Sequence, residues 1–227
     1  MLRGAVGAER GARGGRARSA VMLGQSLNCT LLVPAPIDTH PVRSPQAIHS
    51  AITRHISGKA VVEIGTRNGD GMACFARATK SAVAVEMDPA YCKKLEQRAV
   101  AIGGGAGPAF SVRCDRYQNV KLDDADVFTW WQQSPHLQNV DVLKHLRKQQ
   151  LGGSIRSNAL AIVLFEHGFP DDMQSFRALR NYTSWSETVR FDERALCRRM
   201  LRRKPWFWSR AHGSYRVVGI QIADVRL

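Results

Sequence analysis

The sequence lacks long apolar runs and paired cysteine motifs. Its longest continuous apolar stretch, residues 159–165, falls far short of the roughly 18 residues that a membrane-spanning helix needs. A soluble protein with no membrane span is therefore predicted. Its cysteines lie far apart and form no Cys-x-x-Cys pair, so neither a zinc ribbon nor a disulfide framework is expected, and a reducing, cytoplasmic compartment fits best. They are Cys29, Cys74, Cys92, Cys114 and Cys197.

Acidic side chains are also scarce. Asp and Glu number 19 against 33 Lys and Arg, which gives the 227 residues a formal net charge of +14. This excess favours polyanions or anionic surfaces as neighbours, with a basic protein that has no nucleic-acid partner as the alternative. Apolar residues still make up 44% of the chain, and its length suffices for a core that needs neither disulfides nor metal.

Residues 1–28 differ in composition from the rest of the chain. They contain five arginines among glycine and alanine, with Glu9 as the only acidic residue, and they show no lasting periodicity. A disordered leader is predicted. An organellar transit peptide is the alternative, because such peptides are rich in arginine and poor in acidic residues. Residues 29–227 are predicted to form a single domain.

One stretch, residues 61–71, combines a strand, a glycine turn and the start of a helix. Its first four residues are apolar apart from Glu63 and indicate a short buried strand. Gly65, Gly69 and Gly71 then allow positive φ angles and close backbone approach. A helical pattern follows at once, so the free N–H groups of its first turn are expected to point toward whatever the glycine loop holds.

Strand and helix patterns alternate along the chain. Beyond the first strand, strand patterns occupy residues 81–85, 109–114, 126–131 and 159–165, and helical patterns occupy 45–58, 72–78, 90–101 and 140–151. Helices are also predicted over 171–182 and 192–203, followed by strands over 206–210 and 215–225 that are joined across 212–214. The first helix is expected either to close over a ligand or to cover a sheet edge. The predicted fold is α/β and doubly wound, a mostly parallel seven-stranded sheet with helices on both faces and an antiparallel C-terminal hairpin.

Glycines and carboxylates cluster where the predicted strands end. In an open parallel sheet, ligands bind outside the carboxyl ends of the strands. Glu86 ends the second strand about 20 residues past the glycine loop, which is the spacing of a carboxylate that hydrogen-bonds a ribose diol. Asp115 follows the third strand, and Glu166 and His167 follow the fifth. This set suits a nucleoside, with amides for backbone contact, one carboxylate for the ribose and another acid near the base.

These residues resemble those of the class I S-adenosylmethionine-dependent methyltransferases. The first motif of that family is matched by Glu63, Gly65 and a later glycine, its ribose carboxylate by Glu86, and its acid near the adenine amino group by Asp115. The resemblance covers residues 45–227 and implies one Rossmann-like methyltransferase domain that binds S-adenosyl-L-methionine. The binding residues that it implies are Glu63, Gly65, Thr66, Asn68, Gly69, Glu86, Met87 and Asp115.

Arg67 stands where this family usually has glycine. Either the arginine is tolerated because its side chain is turned outward, or its presence is a sign that cofactor binding has weakened. A dinucleotide is the alternative ligand, but that site requires Gly-x-Gly-x-x-Gly, and Arg67 breaks this motif as well. Glu63 would repel a pyrophosphate, whereas it suits an ammonium group and a cationic sulfonium. The methyl donor is therefore favoured over the dinucleotide.

The methyl acceptor is not evident from the sequence, and neither is the choice among N-, O- and C-methylation. Transfer from a sulfonium requires alignment, and it requires a base only if the acceptor loses a proton. The predicted catalytic residues are Glu166, His167 and Trp130; the alternative is that the first two cap a strand. Because neighbours on a strand point oppositely, at most one of Trp130 and Trp131 faces the acceptor. No metal site is predicted, since the fourth strand ends without a carboxylate.

The segment from Arg190 to Arg210 mixes arginines with Trp206, Phe207 and Trp208. Charge and stacking surfaces together are typical of nucleic-acid binders, so RNA or another polyanion is a candidate partner. The alternative is a solvated helix face above packed aromatic rings. Accordingly, the second hypothesis for function is a non-catalytic interaction or RNA-binding protein that retains the fold.

Overall fold

The computed structural model describes residues 26–33, 45–122, 124–131, 137–166, 177, 179–192 and 212–227. Within these residues the chain forms five α-helices and seven strands. The helices are α1 Cys29–Leu32, α2 Gln46–Ile56, α3 Asp70–Ala78, α4 Pro89–Gly103 and α5 Leu137–Leu151. The strands are β1 Ala60–Ile64, β2 Ser81–Glu86, β3 Ser111–Cys114, β4 Val127–Trp131, β5 Leu160–Glu166, β6 Thr183–Asp192 and β7 His212–Gln221.

All seven strands belong to one sheet, in the order β3-β2-β1-β4-β5-β7-β6. The first five strands in this order pair in parallel, whereas β7 runs antiparallel to both β5 and β6. The predicted doubly wound, mostly parallel seven-stranded sheet is therefore confirmed. The strand order reverses between β1 and β4, and the carboxyl ends of neighbouring strands at such a switch point border the crevice where ligands bind.

Helices pack on both faces of the sheet, as predicted. Val61 and Val62 are neighbours on β1 and enter different core clusters, because successive strand residues point to opposite faces. One cluster joins the sheet to α1, α2, α3 and α4, and its largest fully buried side chains include Ile52 and Phe75. The other cluster joins the opposite face to α5 through Leu143 and Leu146. The first face therefore carries the helices that flank the glycine loop.

The C-terminal hairpin is present, but its strands differ from those predicted. Residues 212–214, expected as a turn, lie inside β7 and pair with residues 190–192 of β6. The predicted turn there is therefore wrong, and so is the helix start at Asp192. Half-buried and exposed side chains alternate along residues 183–190, which is the period of a strand covered on one face. That strand, β6, was not predicted.

The expectation that the cysteines form no disulfides is wrong. Cys29 bonds to Cys74 and joins α1 to α3, with a Cα–Cα distance of 5.5 Å. Cys92 bonds to Cys114 and joins α4 to β3, with a Cα–Cα distance of 5.7 Å. The partners lie 45 and 22 residues apart along the chain, and only the packing of helix on helix and helix on sheet brings them together. The argument for a reducing compartment therefore loses its basis.

Several predictions fall outside the described residues. These are the leader as far as residue 25, the strand over 206–210 and the helix over 193–203, together with most of the helix over 171–182. No helix in the described part of the chain is long and apolar enough to cross a membrane.

Candidate functional site

The loop between β1 and α3 is anchored on the end of β2. The amide of Gly65 donates a hydrogen bond to the carbonyl of Val85 at 2.8 Å. Gly65 and Gly69 have φ angles of +73° and +74°, where a side chain would cause strain, and Gly69 forms the N-cap of α3. A Cβ atom on Gly65 would meet no other atom of the described residues within 4 Å. The loop therefore presents an open backbone surface directly after β1.

Glu86, the last residue of β2, holds this loop through its carboxylate. Its Oε2 accepts a hydrogen bond from the amide of Arg67 at 2.8 Å. Its Oε1 accepts from the amides of Met87 and Asp88, at 2.9 and 3.0 Å. A carboxylate offers about four acceptor positions, so acceptor capacity remains on Oε2 for a ligand hydroxyl. Glu86 is thus both the anchor of the loop and the predicted ribose ligand.

Two residues of α4 fix the other side of the loop. Arg98 donates to the carbonyl of Asn68 at 2.6 Å and forms an ion pair with Asp70 at 2.8 Å, where the Asp70 side chain is fully buried. Leu95 lies so close to Gly69 that a Cβ atom there would approach its Cδ2 to 2.5 Å. Gly69 is therefore required by contact as well as by its positive φ, and the predicted positions Asn68 and Gly69 lie in a rigid loop.

Arg67 directs its side chain toward α4. Its guanidinium lies 5.5 Å from the centre of the Tyr91 ring, and its Nη2 donates to the Tyr91 hydroxyl at 3.2 Å. Its φ of +54° is positive, like those of Gly65 and Gly69 in the same loop. The side chain therefore leaves the glycine loop and packs against α4.

Met87 and Asp115, two of the predicted cofactor-binding residues, directly follow β2 and β3. Met87 is 67% exposed and offers apolar surface that suits a flat ring. Asp115 is exposed, and its Oδ1 accepts from the amide of Arg116 at 2.6 Å and from Asn119 at 3.0 Å. Both side chains are therefore accessible to a ligand at the edge of the sheet.

Glu63 and Thr66 are buried beneath the loop. Glu63 is 3% exposed, and the Thr66 hydroxyl donates to the Glu63 carbonyl at 2.9 Å. Gly71, at the start of α3, leaves room for the Glu63 carboxylate, because a Cβ atom on Gly71 would stand 2.8 Å from Oε1. The acid of the first motif is thus enclosed between β1 and α3.

His49 on α2 lies close to the predicted site residue Glu63, and it was not among the predicted site residues. It is fully buried, with its ring edge-on to Phe75 at 5.4 Å and to Trp131 at 5.6 Å between centroids. Its Nε2 atom would lie 3.1 Å from a Cβ atom on Gly71, on the same side as Glu63. The only signal in the sequence was its position on the apolar side of a predicted helix, which does not distinguish a core histidine from a site residue.

The two tryptophans at the end of β4 point to opposite faces, as the strand period predicts. The Trp130 indole is 4% exposed among the residues that pack on α5, and its Nε1 donates to Asn139 at 2.8 Å. Trp131 is half-buried on the other face, edge-on to His49 and, at 5.0 Å between centroids, to Tyr215. Trp131 is thus the indole on the side of Glu63.

The remaining predicted residues are described only in part. The backbone of Glu166 ends β5, while its side chain and the whole of His167 lie outside the described residues. From the segment between Arg190 and Arg210, only residues 190–192 are described, as the end of β6. Among the described residues, no group of three or more His, Cys, Asp or Glu side chains is arranged to hold a metal ion.

The burial of His49 leads to a pH-dependent stability. Burial lowers its pKa from 6.5 to about 4, while Asp70 raises the pKa and Arg98 lowers it by smaller amounts. Between these values the unfolded chain binds more protons than the folded chain, so stability is lost as the pH falls from about 6.5 to about 4. Over this pH range, the free energy of unfolding of the wild type should fall by up to roughly 3 kcal/mol more than that of the His49→Phe variant, which lacks the titrating group. Urea unfolding at both ends of the range measures the difference. Equal losses in both proteins would contradict a buried neutral imidazole.

No protein-family model matches the sequence, and no curated protein matches it. Solved structures do share the fold. A Pyrococcus horikoshii protein described as a candidate RNA methyltransferase has 12% identity and a TM-score of 0.53, with 79% of this chain and 85% of that chain covered. A S-adenosylmethionine-dependent methyltransferase from Thiobacillus denitrificans, in complex with S-adenosyl-L-homocysteine, has 13% identity and a TM-score of 0.53, with 85% and 96% covered.

A third neighbour, the tRNA (uracil-54, C5)-methyltransferase of Pyrococcus abyssi in complex with S-adenosyl-L-homocysteine, has 11% identity and a TM-score of 0.52. Here 77% of this chain and 38% of that chain are covered. At these identities the likeness concerns the fold. The fold is that of the class I methyltransferases, as the resemblance in the sequence predicted.

Proposed function

We propose that this chain is a S-adenosyl-L-methionine-dependent methyltransferase whose donor site lies at the carboxyl ends of β1, β2 and β3. The observation that carries the proposal is the pairing of Glu86 with the open backbone at Gly65. Glu86 accepts one hydrogen bond from the loop, at the amide of Arg67, and two from the amides of Met87 and Asp88 after β2, and it retains acceptor capacity on Oε2. A ribose diol needs such an acceptor beside an accessible backbone surface.

The residues around this pair fit the other parts of the donor. Met87 offers exposed apolar surface for the adenine ring, and Asp115 offers an acceptor for its amino group. Glu63 lies on the opposite side of the glycine loop, where a carboxylate favours the ammonium and the sulfonium of the donor. The same carboxylate would repel a pyrophosphate, so the arrangement favours the methyl donor over a dinucleotide.

When bound, S-adenosyl-L-methionine supplies a methyl group on a cationic sulfur, which an acceptor attacks in line. The chain contributes by orienting the two partners and by keeping water away. A proton acceptor is needed only for acceptors that lose a proton, and Glu166 and His167 remain the candidates for that role. Trp130 remains a prediction, with its indole engaged by Asn139.

We propose RNA as the class of acceptor. The net charge of +14 favours a polyanion, and two of the structural neighbours are described as acting on RNA or tRNA. The arginine and aromatic residues between Arg190 and Arg210 are the proposed contact segment. The compartment is a proposal as well: two disulfides favour an oxidising compartment over the reducing cytoplasm, and the organellar alternative stays a prediction from the leader.

A thermal unfolding experiment tests the donor site. A ligand at a concentration of 100 times its dissociation constant stabilises the folded state by about 2.7 kcal/mol, which corresponds to a rise in Tm of about 5 to 10 °C. We expect S-adenosyl-L-homocysteine to produce this rise and NAD to produce none. A comparable rise with NAD would support the dinucleotide alternative, and no rise with either ligand would favour the non-catalytic binding protein.

A further inference from the structure

We infer that the disulfide between Cys92 and Cys114 is a thiol-reactive site, through which a dithiol reductant lowers the affinity of the chain for its methyl donor. The inference rests on the proposed function and adds a form of regulation to its donor site. The bond joins α4 to β3, and both elements adjoin the residues proposed to hold the ribose and the adenine. Neither cysteine is among the residues that carry the family resemblance.

The disulfide lies beside the proposed ribose and adenine residues. Cys114 ends β3 and is the register partner of Glu86 in the parallel pair of β2 and β3. Cys92 lies in the first turn of α4, and this helix begins two residues after Met87. Asp115 directly follows Cys114 in the chain. The bond therefore connects the two segments that carry these three site residues.

The bond secures a strand that is otherwise held weakly. β3 has only four residues and lies at one edge of the sheet, beside β2. None of its four residues is buried. A short and exposed edge strand opens readily, because few buried apolar contacts hold it. The disulfide is therefore a main constraint on the end of β3 and on the position of Asp115 beyond it.

The two disulfides in the described part of the chain differ in exposure. Cys29 and Cys74 are fully buried in a core cluster, so a reductant reaches them only when the chain opens. Cys114 is exposed, whereas its partner Cys92 is only 3% exposed. Thiol–disulfide exchange requires a thiolate to reach one of the two sulfur atoms. Cys114 is therefore the point of attack, and Cys92 is the leaving group.

The exchange balances with a dithiol as the reductant. One thiolate of the dithiol bonds to the Cys114 sulfur, and the bond to Cys92 breaks, so that the Cys92 sulfur keeps the electron pair and takes up a proton. The second thiolate of the dithiol then attacks the mixed disulfide, which releases Cys114 as a thiol and closes the reductant into a cyclic disulfide. Two electrons and two protons pass from the reductant to the chain.

The surroundings of Cys92 offer a hydrogen-bond partner to the reduced thiol. Its sulfur lies 3.3 Å from the carbonyl oxygen of Glu86. A disulfide sulfur has no proton to donate, whereas a thiol is a weak donor, so reduction allows a hydrogen bond to that carbonyl. Reduction thus leaves Cys92 in place against β2, while Cys114 and the adjoining Asp115 lose their link to α4.

The test is calorimetry of the full chain with S-adenosyl-L-homocysteine, before and after treatment with dithiothreitol. Alkylation followed by mass spectrometry identifies the cysteines that have become thiols. We expect dithiothreitol to reduce the bond between Cys92 and Cys114 and to leave that between Cys29 and Cys74 intact. The affinity should then fall about tenfold, which is roughly the value of one hydrogen bond to a charged group. Circular dichroism should show that the reduced chain remains folded.

A double variant, Cys92→Ala with Cys114→Ala, should bind with the weaker affinity and show no response to dithiothreitol. Linkage in the wild type provides an independent measurement in case this variant fails to fold. If the ligand binds the oxidised chain about tenfold more tightly, saturating S-adenosyl-L-homocysteine must shift the reduction equilibrium of this bond about tenfold toward the disulfide.

Three results would overturn the inference while leaving the proposed function intact. They are equal affinities of the oxidised and the reduced wild type, reduction of the buried pair before the exposed one, and unfolding of the chain when this bond alone is reduced. An oxidised wild-type chain that binds no S-adenosyl-L-homocysteine would overturn the proposed function itself, and with it this regulation.

Discussion

Glu86→Ala is expected to weaken the binding of S-adenosyl-L-homocysteine at least about 100-fold. Two effects combine in this loss. The variant removes the acceptor for the ribose, and hydrogen bonds to charged groups are each worth about 1.5 to 3 kcal/mol. It also releases the amide of Arg67 in the loop and those of Met87 and Asp88 after β2, which Glu86 holds at 2.8 to 3.0 Å, so the loop loses its anchor at Arg67.

Calorimetry on the wild type and on two variants measures this effect. Arg67→Gly is the matched control in the same loop, because its side chain points to Tyr91 and its backbone amide is retained. We expect its affinity to stay within a few fold of the wild type. Circular dichroism should show that Glu86→Ala remains folded, because only one buried side chain is truncated. A folded Glu86→Ala variant that binds as tightly as the wild type would contradict the proposed ribose site.

Removal of the disulfide between Cys29 and Cys74 is expected to lower the free energy of unfolding by about 4 kcal/mol. The bond closes a loop across a sequence separation of 45 residues and therefore restricts the unfolded chain strongly. Both cysteines are fully buried, so the pair Cys29→Ala and Cys74→Ala adds no buried polar group. Urea unfolding of the full chain measures the change as a lower midpoint.

The second disulfide is the matched control for this prediction. Cys92 and Cys114 close a shorter loop, across a separation of 22 residues, so their replacement by alanine is expected to cost about 3 kcal/mol. Thiol titration of the unfolded wild type without reductant should find no more than one of the five cysteines reactive. Five reactive thiols, or a urea midpoint unaffected by reductant, would contradict both disulfides.

The parts of the fold that the sequence could predict are those with local signals. The continuous apolar run at residues 159–165 and the glycine loop after Glu63 gave β5 and the start of α3 nearly at their observed bounds. The spacing from Gly65 to Glu86 was likewise sufficient to predict that Glu86 ends the strand next to the glycine loop, because one helix, one turn and one strand separate the two residues. Local periodicity and short spacing are properties that a chain carries before it folds.

Features that depend on distant contacts were missed. The alternation along β6 was present in Trp185, Glu187 and Val189, but strand pairing with β7 depends on residues far along the chain. The cysteine pairs meet only after α3 and α4 have packed. His49 lies beside Gly71 and Glu63 only because α2 packs against α3, with His55 of the same helix stacked on Trp185 of β6. In each case the missing information was tertiary packing.

The central claim is that the strand ends around Gly65 and Glu86 bind S-adenosyl-L-methionine, and one calorimetric titration tests it most directly. The full chain is titrated with S-adenosyl-L-homocysteine, alongside Gly65→Arg and Glu86→Ala. We predict that one ligand binds per wild-type chain and that both variants lose this binding, since an arginine at Gly65 would enter the open surface of the loop. No heat of binding to the folded wild type at ligand concentrations on the order of 1 mM, where even an interaction of about −4 kcal/mol is detectable, would contradict the claim.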